Sequence, residues 1–174
     1  MRDGEHQQRV LYIISCGSPV AQMVPELVSQ AQDIDWNVCV ITTPYGTKFL
    51  DIPLLERLTD HPIRSQYKHP DEPDVLPRAN ALIAFPLIFN TLNKWALGIT
   101  DTLAVGLLCE YTGLKMPIVA VPVTGEGLGY HPAFQRSVRM LRRYGVQVLY
   151  KPEASLFTQN DPMRVILSEL NKHM

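Results

Sequence analysis

The chain has 174 residues, 46% of them hydrophobic and 19% charged, with a net charge of −1, so it can fill one well-cored domain and carries no bulk basic field that would draw nucleic acid. Its three cysteines, Cys16, Cys39 and Cys109, lie in apolar runs without regular spacing, which argues against a disulfide framework or a metal site and predicts buried reduced thiols. The first nine residues are polar and no apolar stretch reaches membrane-spanning length, so a cytoplasmic protein without a membrane partner is expected.

Val10 to Cys16 is a near-continuous apolar run that ends in Gly17 and Ser18. It reads as a strand buried on both faces. Val20, Met23, Val24, Leu27, Val28 and Ala31 then follow helical spacing, with Pro25 inside the pattern; a proline is tolerated in a first helical turn and kinks a helix further in. Trp36 to Thr43 is a second buried strand, Pro44 to Gly46 a turn, and Phe49 to Leu58 includes a short helix. Asp60 to Pro77 holds His61, Pro62, His69, Pro70, Pro73 and Pro77, the composition of a loop, with a short strand at Ile63 to Tyr67. A loop of that length inside one domain usually has a function.

A third strand at Ala79 to Phe85 is expected to stop at Pro86, with Asn90 and Thr91 opening a helix. Another helix runs from Asp101 through Glu110 and ends near Gly113. Pro117 to Pro122 is a fourth strand and Thr124 to Gly129 a glycine-rich loop. Pro132 to Tyr144 is a helix with Phe134, Val138 and Leu141 on one face and Arg136, Arg139, Arg142 and Arg143 forming a solvated basic face. Val146 to Tyr150 is a fifth strand, and a last helix at about 161–173 aligns Met163, Ile166, Leu167 and Leu170. Strand and helix alternate throughout, which predicts a single α/β domain over residues 1–174: a doubly wound parallel sheet with helices on both faces.

In such a sheet the carboxyl ends of the strands converge on a ligand, and helix N-termini there favour anions. Three strand ends present suitable groups: Gly17 and Ser18, Thr42 and Thr43, and Pro86 to Thr91. Together they suggest a mononucleotide site. Ordinary turn chemistry is the competing reading, with Ser18 and Asn90 as helix caps and Thr43 as a strand end. Neither the GxGxxG fingerprint nor a P-loop is present.

Pro86, Asn90 and Thr91, continued by Asn93, Lys94, Ala96, Gly98, Ile99 and Asp101, resemble the Pro-Ala-Ser-Ala-Asn-Thr signature of the homo-oligomeric flavin-containing cysteine decarboxylases. Gly17 and Ser18 match that family's first Gly-Ser turn, Pro25 to Val28 the helix after it, and Thr43 and Phe49 the second strand end, so the resemblance covers about residues 9–150. It implies a Rossmann-like, flavodoxin-like fold, an FMN cofactor, a cysteine-containing substrate that undergoes oxidative decarboxylation, and a homotrimer or an assembly of trimers. By correspondence Gly17, Ser18, Thr43, Phe49, Pro86, Asn90, Thr91 and Asp101 are the FMN candidates. A flavin-binding regulatory protein without chemistry, and a flavin prenyltransferase-like enzyme, are the alternatives.

The catalytic positions depart from the family pattern. Glu72 stands where the family has a histidine, with His69 three residues earlier. The family's Pro-x-Met-Asn-x-x-Met substrate clamp falls on Pro122 to Leu128, where Gly125 replaces the asparagine and Leu128 the second methionine. His131, just before Pro132, is either a helix-entry residue or an acid/base group beside the flavin. His69 and His131 are therefore the catalytic candidates, and Trp95 is expected to be core or a subunit contact.

Overall fold

The computed structural model describes residues 8–151 and 155–174; the polar segment read at residues 1–7 lies outside them. In chain order the elements are β1 (Val10–Ser15), α1 (Val24–Gln32), β2 (Asn37–Thr42), α2 (Ile52–Thr59), β3 (Ala81–Leu87), α3 (Phe89–Leu97), α4 (Leu103–Gly113), β4 (Ile118–Pro122), α5 (Glu126–Gly129), α6 (Pro132–Arg143), β5 (Gln147–Val148) and α7 (Pro162–Asn171). Short 3-10 turns occupy Pro19–Met23, Tyr45–Phe49 and Leu156–Thr158. Every strand pair is parallel and the sheet order is β2-β1-β3-β4-β5. The order reverses direction between β1 and β3, which makes the gap beyond their carboxyl ends the topological switch point.

The apolar runs of the strands split by alternation onto two faces. Tyr12, Ile14 and Cys16 pack with Leu92 and Trp95 of α3, Val105 and Leu108 of α4, and Phe134, Val138 and Leu141 of α6. Leu11 and Ile13 pack with Leu27 and Val28 of α1, Leu55 of α2, and Met163, Ile166 and Leu170 of α7. Each such side chain taken fully out of water contributes about 1.5–3 kcal/mol, so both faces of the sheet are strongly committed. Trp95 is buried and its indole N–H donates to Thr112 Oγ1 at 3.0 Å, which makes it core.

Several expectations are corrected. Pro86 does not end β3 but lies within it, where the register shifts between Ala84 and Leu87. Proline lacks a donor but keeps its acceptor; the Pro86 carbonyl takes the N–H of Cys16 at 3.0 Å, and Leu87 resumes pairing opposite Pro122. The strand expected at Ile63 to Tyr67 is a single bridge between Ile41 and Arg64. The glycine-rich segment contains one helical turn, α5. The fifth strand is short, Gln147–Val148. Arg142 is not simply solvated: its guanidinium donates to the carbonyls of Val148 and Tyr150, both at 3.0 Å. Pro25 sits in the first turn of α1, directly after the 3-10 turn, so no kink arises.

Candidate active site at the carboxyl edge of the sheet

Three strand ends are tied together by short bonds. The Ser15 carbonyl accepts both the Thr42 hydroxyl at 2.9 Å and the Thr43 N–H at 3.0 Å, while Cys16 N–H reaches Pro86 on the other side. The turn that follows β1 is thereby fixed at the switch point. At Gly17 an added Cβ would lie 2.8 Å from Tyr45 Cδ1 and 3.2 Å from Phe49 Cε2. Glycine is required there because an aromatic pair, Tyr45 and Phe49 with centroids 5.6 Å apart, is laid against the turn. Ser18 Oγ accepts Val20 N–H and caps the 3-10 turn, and Thr43 Oγ1 accepts Gly46 N–H at 3.1 Å. Both hydroxyls keep their own proton to give.

The start of α3 has no side-chain cap, a feature it shares with α1, which instead runs on directly from the 3-10 turn at Pro19–Met23. Thr102, His131 and Asp161 cap α4, α6 and α7 with side-chain acceptors. The residue before α3 is Ile88, which offers none. Among the described residues its first-turn N–H groups have no intrahelical or side-chain acceptor, and such groups favour an anion. Asn90 is therefore inside the first turn and is not the cap; it is exposed, and among the described residues its amide makes no hydrogen bond. Thr91 is buried, and its hydroxyl and the Ile88 backbone hydrogen-bond the Cys16 thiol; burial nevertheless pushes that thiol above its usual range.

His131 joins this corner from α6. Its Nδ1 accepts Ala133 N–H at 3.1 Å, which leaves the ring proton on Nε2 in the neutral form. The ring stands edge-on to Phe89, the first residue of α3, and Phe89 stacks on Phe134, which in turn meets Tyr150. Ser137 of α6 donates to Asn93 Oδ1 at 2.7 Å and locks the two helices together.

The contacts of two other sequence candidates are made elsewhere. His69 is two-thirds exposed and its contacts close on its own loop: Nδ1 is 3.3 Å from Asp71 Oδ2, and its N–H donates to Glu72 Oε2. The Asp101 carboxylate is engaged by Lys94. Gly17, Ser18, Thr43, Phe49, Pro86, Asn90 and His131 are brought to the carboxyl edge.

Sequence reasoning missed a cavity of about 400 Å³ beside this corner, walled by Pro122 to Glu126, Tyr130, Leu149 to Lys151 and Ser155 to Phe157. Its walls come from segments roughly 25 residues apart in the chain, a juxtaposition that no local pattern signals. The glycine-rich loop and clamp resemblance at Pro122 to Leu128 point to one wall and the apolar run ending at Tyr150 to another, but nothing in the sequence signals that they meet Ser155 to Phe157.

A family profile described as Flavoprotein matches residues 2–171. Among curated proteins, the chain is 22% identical over 170 residues to a probable phosphopantothenoylcysteine decarboxylase of Streptococcus mutans serotype c, covering 94% of this chain and 93% of the relative. It is 29% identical over 149 residues to the phosphopantothenoylcysteine decarboxylase of Mus musculus, covering 81% and 72%. Among solved structures, it superposes on the FMN-dependent cysteine decarboxylase TvaF from thioviridamide biosynthesis with a TM-score of 0.72 at 20% identity, covering 95% of this chain and 99% of the other.

Proposed function

The chain belongs to the Flavoprotein family, and from that premise we propose that it is a cytoplasmic FMN-dependent enzyme that oxidatively decarboxylates a cysteine-containing substrate. The observation that carries this reading is the start of α3, which has no side-chain cap and whose Asn90 amide has no partner among the described residues, at the switch point of a sheet in the order β2-β1-β3-β4-β5.

The corner suits a flavin mononucleotide in three respects. The first-turn N–H groups of α3 and the hydroxyls of Ser18 and Thr43 are donors for a phosphate. Gly17 keeps a side chain out of the turn and so lets the Tyr45 and Phe49 rings lie against it. Tyr45, 60% exposed, and Phe49 give an apolar wall against which a flat ring system can rest. Bound FMN supplies the two-electron oxidation of a substrate thiol that makes loss of CO₂ from the neighbouring carbon easy.

The residues of the chain orient and exchange protons. Asn90 presents both an amide donor and an acceptor toward the ligand. His131, whose Nδ1 takes the Ala133 N–H and whose ring stands edge-on to Phe89, serves as the acid/base group. His69 points to no group of this corner and would have to serve a neighbouring copy; a homotrimer gives it that opportunity. Exposed Tyr67, Leu97 and Ile99 supply apolar surface for association.

Gly125 leaves the family's clamp without its amide, and loss of one such donor is worth about 2.7–4 kcal/mol. Its backbone, φ −72° and ψ 164°, is open to any residue, and an added Cβ meets nothing within 4 Å. The test is to record the visible spectrum and elution volume of the purified protein, then to follow CO₂ loss by mass spectrometry from cysteine-terminated peptides and phosphopantothenoylcysteine. A yellow, trimer-sized protein that decarboxylates one of them is expected. A flavin-loaded protein inert to all of them overturns the decarboxylase reading, and a colourless protein that takes up no FMN overturns the cofactor.

A further inference from the structure

Helix α6 carries Arg136, Arg139, Arg142 and Arg143 and no acidic residue. Phe134, Ser137, Val138 and Leu141 are its buried side. At about 100° of rotation per residue, Arg136, Arg139 and Arg143 fall within one arc diametrically opposite that side, and all three are exposed. Arg142 lies beside the arc but gives its guanidinium to the carbonyls of Val148 and Tyr150. Among the described residues, the ion pairs are made by Lys68, His69, Lys94, Lys172 and His173, and none by an arginine of α6. The net charge of the whole chain is −1, so this stripe is a local excess of positive charge and not part of a general field.

One end of the stripe is anchored at the candidate site. The helix opens with His131, whose Nδ1 caps it and whose ring stands against Phe89 at the start of α3. The bond from Ser137 to Asn93 holds α6 on α3. Because α6 connects two parallel neighbours, β4 and β5, it runs from the carboxyl edge of the sheet back toward the amino edge. The arginines therefore lead away from the corner along the flank of the molecule. At 1.5 Å of rise per residue, Arg136 lies about 7.5 Å and Arg143 about 18 Å along the axis from His131. An extended peptide covers about 3.3 Å per residue. A chain whose last residue sits at the corner and which follows α6 would bring roughly its second or third preceding residue over Arg136 and its fifth or sixth over Arg143.

We propose that this stripe is a docking track for the substrate, and that the substrate is a peptide with acidic residues in the stretch of about six positions before a C-terminal cysteine. This rests on the reading above, that a cysteine-containing substrate reacts at the corner. The spread of the charges selects the peptide. A single phosphate on a small substrate engages one or two guanidiniums, whereas three of them distributed over about 10.5 Å match several carboxylates along a chain. The planar fork of each arginine can take a carboxylate with two parallel bonds, which an ammonium cannot.

The test is calorimetry on the FMN-loaded protein with two peptides that end in serine in place of cysteine, so that nothing reacts. One carries aspartate at the second, fourth and sixth residues before its end, and the other asparagine. In low salt the acidic peptide should bind about 10-fold tighter or more, the product of three exposed ion pairs at about 1.5- to 5-fold each. The advantage should fade at about 0.5 M salt. The triple variant Arg136→Gln, Arg139→Gln, Arg143→Gln should bring the two peptides to equal affinity while FMN content and melting temperature stay at the wild-type level. Arg139→Glu should reduce the advantage further than Arg139→Gln. Equal affinity of the wild type for both peptides, or an acidic preference that the triple variant keeps, overturns the proposal. A triple variant that changes elution volume without changing the preference assigns the stripe to contact between copies and overturns it too. So does a triple variant that loses as much affinity for phosphopantothenoylcysteine as for the acidic peptide, which would make the stripe a phosphate site. Because the serine peptides do not react, a protein that docks them on the stripe yet releases no CO₂ from their cysteine counterparts fails the decarboxylase reading alone.

Discussion

The imidazole of His131 stands edge-on to the ring of Phe89, with centroids 5.5 Å apart and planes at 83°. Because Phe89 is the first residue of α3, this contact seats the His131 ring over the start of the helix that carries Asn90. The same imidazole caps α6 through Nδ1, so its tautomer and its place are set by one residue on either side.

Replacing His131 separates these roles. His131→Asn keeps an acceptor for the Ala133 N–H and so most of the cap, which alone is worth about 1 kcal/mol when lost, but removes the titrating ring. Flavin content and melting temperature should stay near wild type, while single-turnover oxidation of a cysteine substrate falls about 10²- to 10⁴-fold. His69→Asn should have a smaller effect. The reverse ranking would move the acid/base role to the loop.

Asn90→Ala should cost the protein its FMN without costing it its fold. The amide has no partner among the described residues and is exposed, so stability should change by less than about 0.5 kcal/mol. Equilibrium dialysis against FMN with a thermal melt in parallel checks both halves. Unchanged FMN affinity removes Asn90 from the site.

Gly17→Ala tests the approach to the turn after β1. The added methyl meets Tyr45 and Phe49 at 2.8 and 3.2 Å, and overpacking of this kind costs about 1–3 kcal/mol unless the rings swing away. Tyr45 is 60% exposed and can move. The expected result is a modest loss of stability with a larger loss of FMN affinity, read by denaturant melts with and without FMN.

Acid stability should depend on Asp161. Its carboxylate accepts the Arg164 N–H at 3.0 Å and the Gln30 amide at 3.2 Å, which hold its pKa below the usual carboxylate range. A pKa depressed by folding means that this contribution is present above the unfolded value and is lost as the pH falls through the folded one. Asp161→Asn keeps a capping oxygen and removes the titration, so the decline of melting temperature in the acid range should be shallower. An unaltered acid limb contradicts the assignment.

Much of the architecture was legible because the strands are buried on both faces and read as unbroken apolar runs. The helices showed their 3.6-residue period, and Phe134, Val138 and Leu141 fell on the buried side of α6 as expected. Pro86 was misjudged because its missing donor suggests a stop, whereas its carbonyl is what the neighbouring strand uses. Capping residues and first-turn residues look alike in sequence, and α3 begins two residues earlier than a cap at Asn90 allows. Spacing reveals which face Arg142 occupies but not the Val148 and Tyr150 carbonyls that its guanidinium meets. The stretch from Leu149 to Lys151 is brought to the end of β4 by the pairing of β5 with β4 and faces Phe157, which packs on Phe85, contacts that no local pattern signals.

Val10, at the start of β1, donates to Asn80 Oδ1 across 70 residues of sequence, and β1 then pairs along its length with β3. The unit of β1, α1 and β2 can assemble from neighbouring segments, but the centre of the sheet waits for a large loop to close, and non-local pairing of this kind slows folding. A nascent chain that has emerged only through α2 therefore owns the Gly17 turn and the Thr43 strand end but no pocket between them and α3. FMN capture must therefore wait until β3 and α3 have joined β1 and β2.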